Sequence, residues 1–301
     1  MSTNYLAFDV GGTSIKYAVI NQQWQILTTG KRPTKHNHDQ TIIKTLQQVS
    51  TDVMNQYDLS GIGVSTAGRV GPHGDIIYAG PTISDYQGTP IQHVLQQQTG
   101  LPVYVMNDVD AALMGEIRRG NYDLHQSIYC VALGTGIGGA FYDGEHLLQG
   151  AHGLANSVGY LNYDPQSQMT FESHSSTLAL EHQLKSFNVT VPQAFEKARQ
   201  GDEHFQQIIT DWCQEIGKHL ATICLLLDPA IIIIGGAVSQ QGDFFINQLQ
   251  AAVEHHLPAG MANVKIQAPM LKEQAQLFGA ISQFFVWKRI HKSDFMLLLA
   301  L

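Results

Sequence analysis

The sequence predicts an α/β fold made of two lobes, each with its own hydrophobic core. Two segments, residues 6–20 and 129–142, share one pattern: an apolar strand, a glycine turn that contains a threonine, and a second strand. The first segment leads into a β-β-β-α-β-α order of elements before the pattern starts again. A chain of 301 residues is long enough for two such cores. We therefore expect two lobes related by duplication, joined by ordered crossings with a cleft between them.

The elements of the first lobe follow from apolar spacing and turn residues. A helix is predicted over residues 41–57, where Ile42, Ile43, Leu46, Val49 and Val53 recur at helical spacing. Around it the sequence predicts, in chain order, a third strand near 24–31, a polar loop at 33–40, a strand at 59–66, a loop at 67–90, a short helix at 91–98, a strand at 103–106 and a helix that begins at Asn107-Asp108.

The second lobe is predicted to be more helical. A long helix over residues 203–227 has a continuous apolar face and ends at Asp228-Pro229, because proline disfavours helix in the residue before it. The other predicted elements are short helices at 177–187 and 192–199, strands at 231–234 and 264–267, and a last helix at 273–287. We place the first lobe at residues 1–118 and the second at 119–301, with the last helix as a candidate to pack back on the first lobe. The apolar run 295–301 either docks on the body or on a partner subunit, or forms a loose extension.

Composition narrows the class of protein. The charged fraction is 14% and the formal net charge is −8, and the basic clusters are only the pairs Lys31-Arg32 and Arg118-Arg119. Duplex binding depends on clustered cations, so we expect no nucleic-acid partner. Three widely spaced cysteines and no targeting segment before the first strand fit a cytoplasmic protein. The apolar run 230–235 is far shorter than the roughly 20 residues of a membrane span, so no membrane partner is expected either.

The two glycine turns predict phosphate binding. Glycine lets backbone N–H groups approach an anion closely, and two such turns facing each other would hold a polyphosphate from both sides. The second turn also has the G-x-G-x-x-G spacing of dinucleotide-binding proteins, in Gly134, Gly136 and Gly139. That motif requires a helix after the glycines, whereas here a strand follows and closes at Asp143-Gly144. The nicotinamide interpretation is therefore less favoured than a phosphate clamp.

Four motifs resemble those of a known family. In chain order they are Asp9-x-Gly-Gly-Thr13-x-x-Lys16, Asn107-Asp108, Leu133-Gly-Thr-Gly136 and Ile234-Gly-Gly236, supported by the segments 63–70 and 111–116. Together they are similar to the ROK sugar kinases of the actin-like, hexokinase-like ATPase superfamily, over essentially the whole chain. The resemblance is strongest to kinases of N-acetylmannosamine, glucose and β-glucosides. It implies the two-lobed, ribonuclease H-like fold of that superfamily, ATP and Mg²⁺ as cofactors, and a homodimer formed through the second lobe.

The resemblance assigns the nucleotide site. Phosphoryl transfer depends mostly on positioning and charge neutralisation, which glycine-rich turns and a metal ion can supply. Asp9 would orient Mg²⁺ or its water shell, and Lys16 faces either the phosphate or a structural partner. The residues expected to hold ATP and its phosphates are Asp9, Gly11, Gly12, Thr13, Lys16, Gly134, Thr135, Gly136, Gly235 and Gly236.

Asp108 is the predicted general base. It lies where a strand ends and a helix begins, a place that directs a carboxylate into a cleft. A sugar hydroxyl needs an acceptor for its proton, and a positioned carboxylate provides one. The alternative is that Asp108 or Asn107 only caps the helix, and both roles can hold at once.

The resemblance also assigns sugar contacts, and there the chain departs from its relatives. The expected positions are Gly68, Arg69, Thr82, Asn107, Asp108, Ser157, Tyr160 and Glu172. Ser157 stands where relatives usually have a second glutamate, so the pocket there would be roomier. Tyr160 stands where relatives have a zinc-binding histidine, and the segment 157–172 contains no cysteine. We therefore expect no zinc, since three thiolates cannot be replaced by Gln, Ser and Met.

These observations favour an ATP-dependent hexose kinase that acts on the sugar 6-hydroxyl. Two alternatives stay open: a β-glucoside kinase, and a catalytically weak sugar-binding sensor or regulator of the same family. Regulators of the family carry a DNA-reading module ahead of the kinase-like body. Here the chain is acidic and its first strand starts within a few residues of Met1, so no such module is expected. Retention of Asp9, Thr13 and Asp108 together favours the kinase.

Overall fold

A computed structural model describes residues 3–80, 83–261 and 263–285. Contacts divide the chain into two compact units: Met1–Tyr122 together with Glu273–Leu301, and Asp123–Lys272. Thr82, Trp287 and the apolar run 295–301 lie outside the described residues.

The first unit contains a five-stranded sheet in the order β3-β2-β1-β4-β7. Strand β1 is antiparallel to β2 and parallel to β4, which is parallel to β7. The elements up to residue 122 are β1 (Asn4–Val10), β2 (Ser14–Asn21), β3 (Ile26–Pro33), α1 (Thr41–Met54), β4 (Leu59–Thr66), β5 (Arg69–Val70), β6 (Ile76–Tyr78), α2 (Ile91–Thr99), β7 (Val103–Asn107) and α3 (Asp108–Arg119).

The central strand β1 is apolar because both faces of the sheet are covered. Leu6, Phe8 and Val10 point to one face, where they form a core with the buried side of α1. Ala7 and Asp9 alternate with them and point to the other face. The sequence pattern therefore places Asp9 on the covered face opposite α1, at the carboxyl end of the strand.

The segment 67–90, predicted as a loop, contains a small hairpin. Strands β5 and β6 pair in antiparallel fashion around a turn in which Gly71 N–H donates to Asp75 O at 2.8 Å. The strands are only two and three residues long, too short to give an alternating pattern. Their glycine-rich and proline-containing surroundings led to the wrong prediction here.

The second unit contains a four-stranded sheet in the order β11-β10-β8-β9. Beyond β9, only a single bridge between Tyr142 and Leu147 continues the pairing, so the third strand of the repeat is much reduced. The helices and strands of the second unit are β8 (Ile128–Leu133), β9 (Ile137–Tyr142), α4 (Phe171–Ser175), α5 (Thr177–Leu184), α6 (Val191–Arg199), α7 (Glu203–Leu227), β10 (Ile231–Gly235), α8 (Asp243–His256) and β11 (Lys265–Gln267).

Helix α7 confirms the predicted bounds at both ends. Asp202 caps its first turn by accepting from the N–H groups of His204 and Phe205. Asp228 ends it in the left-handed region at φ 45°. The apolar face of α7 contributes Phe205, Trp212 and Leu220 to the core of this unit. Among the described residues, no helix is both long and apolar enough to cross a bilayer.

The last predicted helix is interrupted by a turn. Helix α9 spans Ala275–Ala280, a turn follows at 281–282, and helical residues resume at 283–285, where the described part of this segment ends. Helix α9 packs closely on α3 and on β4, because glycines remove the side chains that would intervene. A Cβ on Gly279 would overlap the carbonyl of Ala111, and one on Gly63 would overlap the carbonyl of Ala280.

Candidate active site

Asp9 lies between two polar residues on the neighbouring strands. The register pairs it with Lys16 on β2 and with Ser65 on β4. The hydroxyl of Ser65, which is fully buried, donates to Oδ1 of Asp9 at 3.3 Å. The sheet therefore holds the Asp9 carboxylate from one side by a hydrogen bond and flanks it with a cation on the other.

The charge of Asp9 reflects opposing influences. Burial raises the pKa of the carboxyl above its ordinary range, and the negative charge of Glu273 adds to that rise. The Lys16 ammonium and the Ser65 hydrogen bond lower the pKa. Ser65 is thus a contributor to the site that sequence reasoning missed, although it lies inside the segment 63–70 that carries the family resemblance.

Lys16 has a protein partner. Its Nζ lies 3.0 Å from Oε2 of Glu273, a residue next to α9 on the same unit. This ion pair fits the structural interpretation of Lys16, and contact with phosphate stays a prediction.

At the junction between β7 and α3, helix capping and the proposed general base fall on different residues. Asn107 is the helix N-cap: its Oδ1 accepts from the N–H groups of Val109 at 2.8 Å and Asp110 at 3.4 Å. Its Nδ2 donates to the carbonyl of Gly68 at 2.8 Å, which links α3 to the start of the β5–β6 hairpin. Since Asn107 caps the helix, the carboxylate of Asp108 is available for another function, although its Oδ1 also lies 3.0 Å from Val109 N.

Asp108 belongs to a group of acidic residues in the first unit. Burial and the nearby Asp9 carboxylate together raise the pKa of Asp108 to about 6. Burial and the charge of Asp108 raise the pKa of Asp110 to about 7. Asp110 was not predicted, because an acidic residue in the first turn of a helix is ordinarily explained by the helix dipole. A carboxyl whose pKa is close to neutral is suited to accept a proton.

The first glycine turn is tied to the end of β3. Gly11 N–H donates to Ser14 O at 3.0 Å, and the buried hydroxyl of Thr34 donates to the carbonyl of Gly12 at 2.7 Å. Thr13 is exposed at the tip. The turn is therefore fixed from behind while its hydroxyl stays open to solvent.

The second glycine turn has the same outline. Gly134 N–H donates to Gly136 O at 2.9 Å, and Thr135 is exposed at the tip. A Cβ on Gly134 would meet no atom closer than 4.0 Å. Nothing within the unit therefore requires glycine at 134, which is consistent with a role in approaching a ligand.

Glu172 lies directly beside this turn. Its Oε2 accepts from the backbone N–H of Ile137, the first residue of β9, at 2.8 Å. A Cβ on Gly136 would lie 2.6 Å from the same oxygen, and one on Gly159 would lie 2.8 Å from it. The two glycines therefore make room for the carboxylate, and Gly159 is a further contributor that sequence reasoning did not assign.

The remaining predicted positions divide between the two units. In the first, Gly68 has φ 95° and Arg69 begins β5. In the second, Ser157 precedes a 3-10 turn at Val158–Tyr160, and the Tyr160 side chain is 50% exposed. Gly235 ends β10, and Gly236, at φ 94°, lies so close to the carbonyl of Leu133 that a Cβ would overlap it. Gly236 therefore has a packing reason to be glycine besides the adenosine contact predicted for it.

The structure thus assembles two partial sites. The first unit brings Asp9 and Asp108 together, with Asn107 joining Asp108 to Gly68 through its hydrogen bond. The second brings Gly136 and Glu172 together at the start of β9. Within residues 3–80, 83–261 and 263–285, no cluster of three or more His, Cys, Asp or Glu side chains is arranged to hold a metal ion.

The chain is similar to known proteins over nearly its whole length. The family model of the ROK family matches residues 5–285. A glucokinase from Streptomyces coelicolor is 27% identical over 304 residues, which cover 91% of this chain and 95% of that protein. A beta-glucoside kinase from Listeria monocytogenes is 26% identical over 298 residues, covering 95% of this chain and 99% of the relative.

A solved structure shares the fold. The ROK family glucokinase from Streptomyces griseus, in complex with glucose and AMPPNP, has a TM-score of 0.78 at 27% identity and covers 92% of this chain and 97% of its own. The likeness confirms the α/β, actin-like ATPase fold expected from the motifs. Since the family match spans nearly all of the described residues, the chain belongs to the ROK family.

Proposed function

We propose that this protein transfers the γ-phosphoryl group of ATP to the 6-hydroxyl of a hexose, with Asp108 as general base. One observation carries the proposal: Asn107 caps α3, so the Asp108 carboxylate is left at the strand end with its pKa raised to about 6 by burial and by Asp9. A carboxylate with that pKa is ionised at neutral pH, yet basic enough to accept a proton.

The reaction balances on these groups. The sugar O6 forms a bond to the γ-phosphorus as the bond from that phosphorus to the bridging oxygen of ADP breaks. The proton of the hydroxyl passes to the Asp108 carboxylate, and ADP leaves with the bridging oxygen's electron pair. Asp108 then releases the proton to solvent before the next turnover.

The residues proposed to hold the nucleotide are the two glycine turns and Asp9. Mg²⁺ usually takes one or two protein carboxylates and fills its other positions with phosphate oxygens and water, so the Asp9 carboxylate fits such a role. When bound, the ion would neutralise charge on the phosphates. The hydrogen bond from Ser65 holds Asp9 in place, and the Lys16 ammonium favours its ionised form.

The proposed sugar residues are Gly68, Arg69, Asn107, Ser157, Tyr160 and Glu172, together with Thr82. Glu172 is half-buried, and one of its oxygens accepts from Ile137 N–H, so the other can accept from sugar hydroxyls. Glucose is the first candidate because the relatives include glucokinases. N-acetylmannosamine is the second, because Ser157 leaves room for a bulky substituent, and a β-glucoside is the alternative because relatives include beta-glucoside kinases.

The test is ADP release by the purified full chain with ATP and Mg²⁺, over glucose, N-acetylmannosamine, N-acetylglucosamine, mannose, fructose and a β-glucoside. Reactions without sugar give the background. We expect one or more sugars to raise ADP release well above background, with the product phosphorylated at the 6-position by NMR. Sugar binding by calorimetry without ADP release would favour a sensor. The absence of both sugar binding and ADP release would contradict the proposal.

A further inference from the structure

We propose that His219 is a positioning residue for sugar binding: from α7, it holds the short helix that carries Glu172. The inference rests on the proposed sugar-binding role of Glu172. It concerns a buried side chain that lies far from Glu172 in sequence and that neither the motifs nor the relatives assign to any role.

The helix that carries Glu172 cannot hold its own position. Helix α4 spans only Phe171–Ser175, and so short a helix is unstable unless other parts of the protein support it. Its own stabilisation is a capping box between Thr170 and Ser173. The direction of the Glu172 carboxylate therefore depends on what packs against α4.

Helix α7 supplies that support through two side chains on one face. Trp212 donates from Nε1 to the carbonyl of Ser175, the last residue of α4, at 2.9 Å. About two helical turns further along α7, the His219 ring stacks on Phe171 with a centroid distance of 3.9 Å and an interplanar angle of 15°. The two contacts hold α4 at both of its ends, and Glu172 lies between them.

His219 also holds the loop before α4. Its Nδ1 lies 2.9 Å from the carbonyl of Glu215, which can only accept, so Nδ1 carries the proton. The Glu215 carboxylate lies 3.7 Å from the same nitrogen and favours that arrangement. In the neutral ring Nε2 is then an acceptor, and Asn162 Nδ2 donates to it at 2.8 Å. One buried imidazole, 3% exposed, thus joins α7 to both ends of the loop 162–170.

A hydrogen bond that closes the loop connects the contacts of His219 to the position of Glu172. Phe171 N–H donates to the carbonyl of Leu161 at 2.8 Å, which brings the two ends of the loop together. Immediately before it, the turn Val158–Tyr160 carries the proposed sugar residue Tyr160 and follows Ser157. His219 is therefore placed to fix all three proposed sugar residues of the second unit relative to β9.

The experiment separates positioning from general stabilisation. His219→Phe keeps a ring against Phe171 but removes the acceptor for Asn162. Asn162→Gly removes the donor at a position whose φ of 56° glycine adopts without strain. His204→Phe is the matched control, because His204 is an exposed residue of the same helix. For each full-length variant, KM for glucose and for N-acetylmannosamine, KM for ATP, kcat and Tm are measured, together with hydrogen exchange of the segment 161–176.

We expect His219→Phe and Asn162→Gly each to raise the KM for the sugar by about two- to tenfold, the range of one hydrogen bond. KM for ATP should change by less than about twofold, and exchange in 161–176 should rise. The double variant should be no worse than the worse single variant, because the two changes remove the same interaction. His204→Phe should match the unaltered chain in every measurement.

A fall in Tm with an unchanged sugar KM would overturn the inference and leave His219 a structural residue only. Parallel rises in both KM values would overturn it as well. If the unaltered chain phosphorylates no sugar, the proposed function fails, and the same variants are then compared by calorimetric sugar Kd. In that case an equal Kd, or no sugar binding by the unaltered chain, would overturn this inference too.

Discussion

The two glycine turns have similar outlines but different surroundings. In the first unit, the pair just inside the turn is Asp9 with Lys16; in the second, the corresponding pair is Ala132 with Gly138. The base of the first turn is therefore charged, with Ser65 and Asp108 nearby. The base of the second is apolar, and the Glu172 carboxylate beside it is held by a backbone N–H.

The difference indicates that the two units have different roles, with the chemistry in the first unit and substrate recognition in the second. The carboxyl groups with raised pKa values among the described residues, Asp9, Asp108 and Asp110, all lie in the first unit, where proton transfer and metal binding are proposed. The second unit offers backbone donors and a single oriented carboxylate, which suit recognition. Changes to the first unit should therefore affect turnover, and changes to the second should affect substrate binding.

The largest expected effect is that of Asp108→Asn. Loss of a general base lowers kcat by about 10²–10⁴-fold, whereas calorimetric sugar binding should be largely kept. Asp110→Asn is the matched control two residues along the same helix, and it should lower kcat far less. Equal losses in the two variants would mean that the acidic cluster as a whole, rather than Asp108, performs the chemistry.

The next largest effect should appear at the second turn, in a pair of glycine variants. Gly136→Ala would bring a Cβ to within 2.6 Å of Glu172 Oε2 and turn the carboxylate away from Ile137 N–H, with the loss of that hydrogen bond, about 0.5–1.5 kcal/mol. Gly134→Ala meets no such neighbour and should keep the unaltered Tm. Denaturant unfolding and sugar KM measure the contrast, and a sugar KM for Gly136→Ala equal to that for Gly134→Ala would refute the placement of Glu172.

A smaller effect is expected in the pH dependence of stability. Because the pKa of Asp108 is about 6 in the folded protein and about 3.9 when unfolded, the folded state holds a proton that the unfolded state has lost between these values. The free energy of unfolding should therefore fall as pH rises through this window and stay lower above it. Asp108→Asn removes the contribution of Asp108 to that fall, while Asp110, whose pKa is also raised, keeps its own.

The measurement is Tm for both proteins from pH 4.5 to 8. The Tm of Asp108→Asn should increase relative to the Tm of the unaltered chain as pH rises. The kcat of the unaltered chain should increase through about pH 6, because the general base ionises there. A constant Tm difference across this range would show that Asp108 titrates alike in the folded and unfolded chain.

The smallest effect should come from Lys16→Met and Glu273→Gln. The Glu273 side chain is 75% exposed, and such surface ion pairs contribute at most about 1 kcal/mol. Lys16→Met should nevertheless weaken Mg²⁺-dependent turnover more than Glu273→Gln does, because Lys16 also favours the ionised form of Asp9. Equal effects on turnover in the two variants would show that Lys16 acts only through the ion pair.

Local patterns predicted much of the fold. The bounds of α7 follow from apolar periodicity and from Asp228-Pro229, and β10 follows from four consecutive isoleucines. The β5–β6 hairpin and the turn at 281–282 were not predictable in this way. The hairpin strands are too short for a pattern, and the apolar spacing of the last predicted helix does not mark the turn inside it.

The site was predictable only in part, for a related reason. Motifs indicated Asp9, Asp108 and the glycine turns, because each of these lies within a short run of neighbouring residues that forms one motif. Ser65, Asp110 and Gly159 matter through neighbours brought close by the sheet register or by packing, and His219 meets Phe171 across 48 positions of sequence. No local pattern marks such pairs.

The glycine-mediated packing of α9 on α3 and β4 has a consequence for biosynthesis. On a ribosome, every residue of the second unit emerges before α9 does, yet the first sheet cannot bury its α9-facing surface until α9 is available. The second unit can therefore complete its core without α9, whereas the first unit cannot complete its own until the whole second unit has been made. A purified fragment that ends at residue 272 should keep the second unit folded and leave the first unit open to proteases.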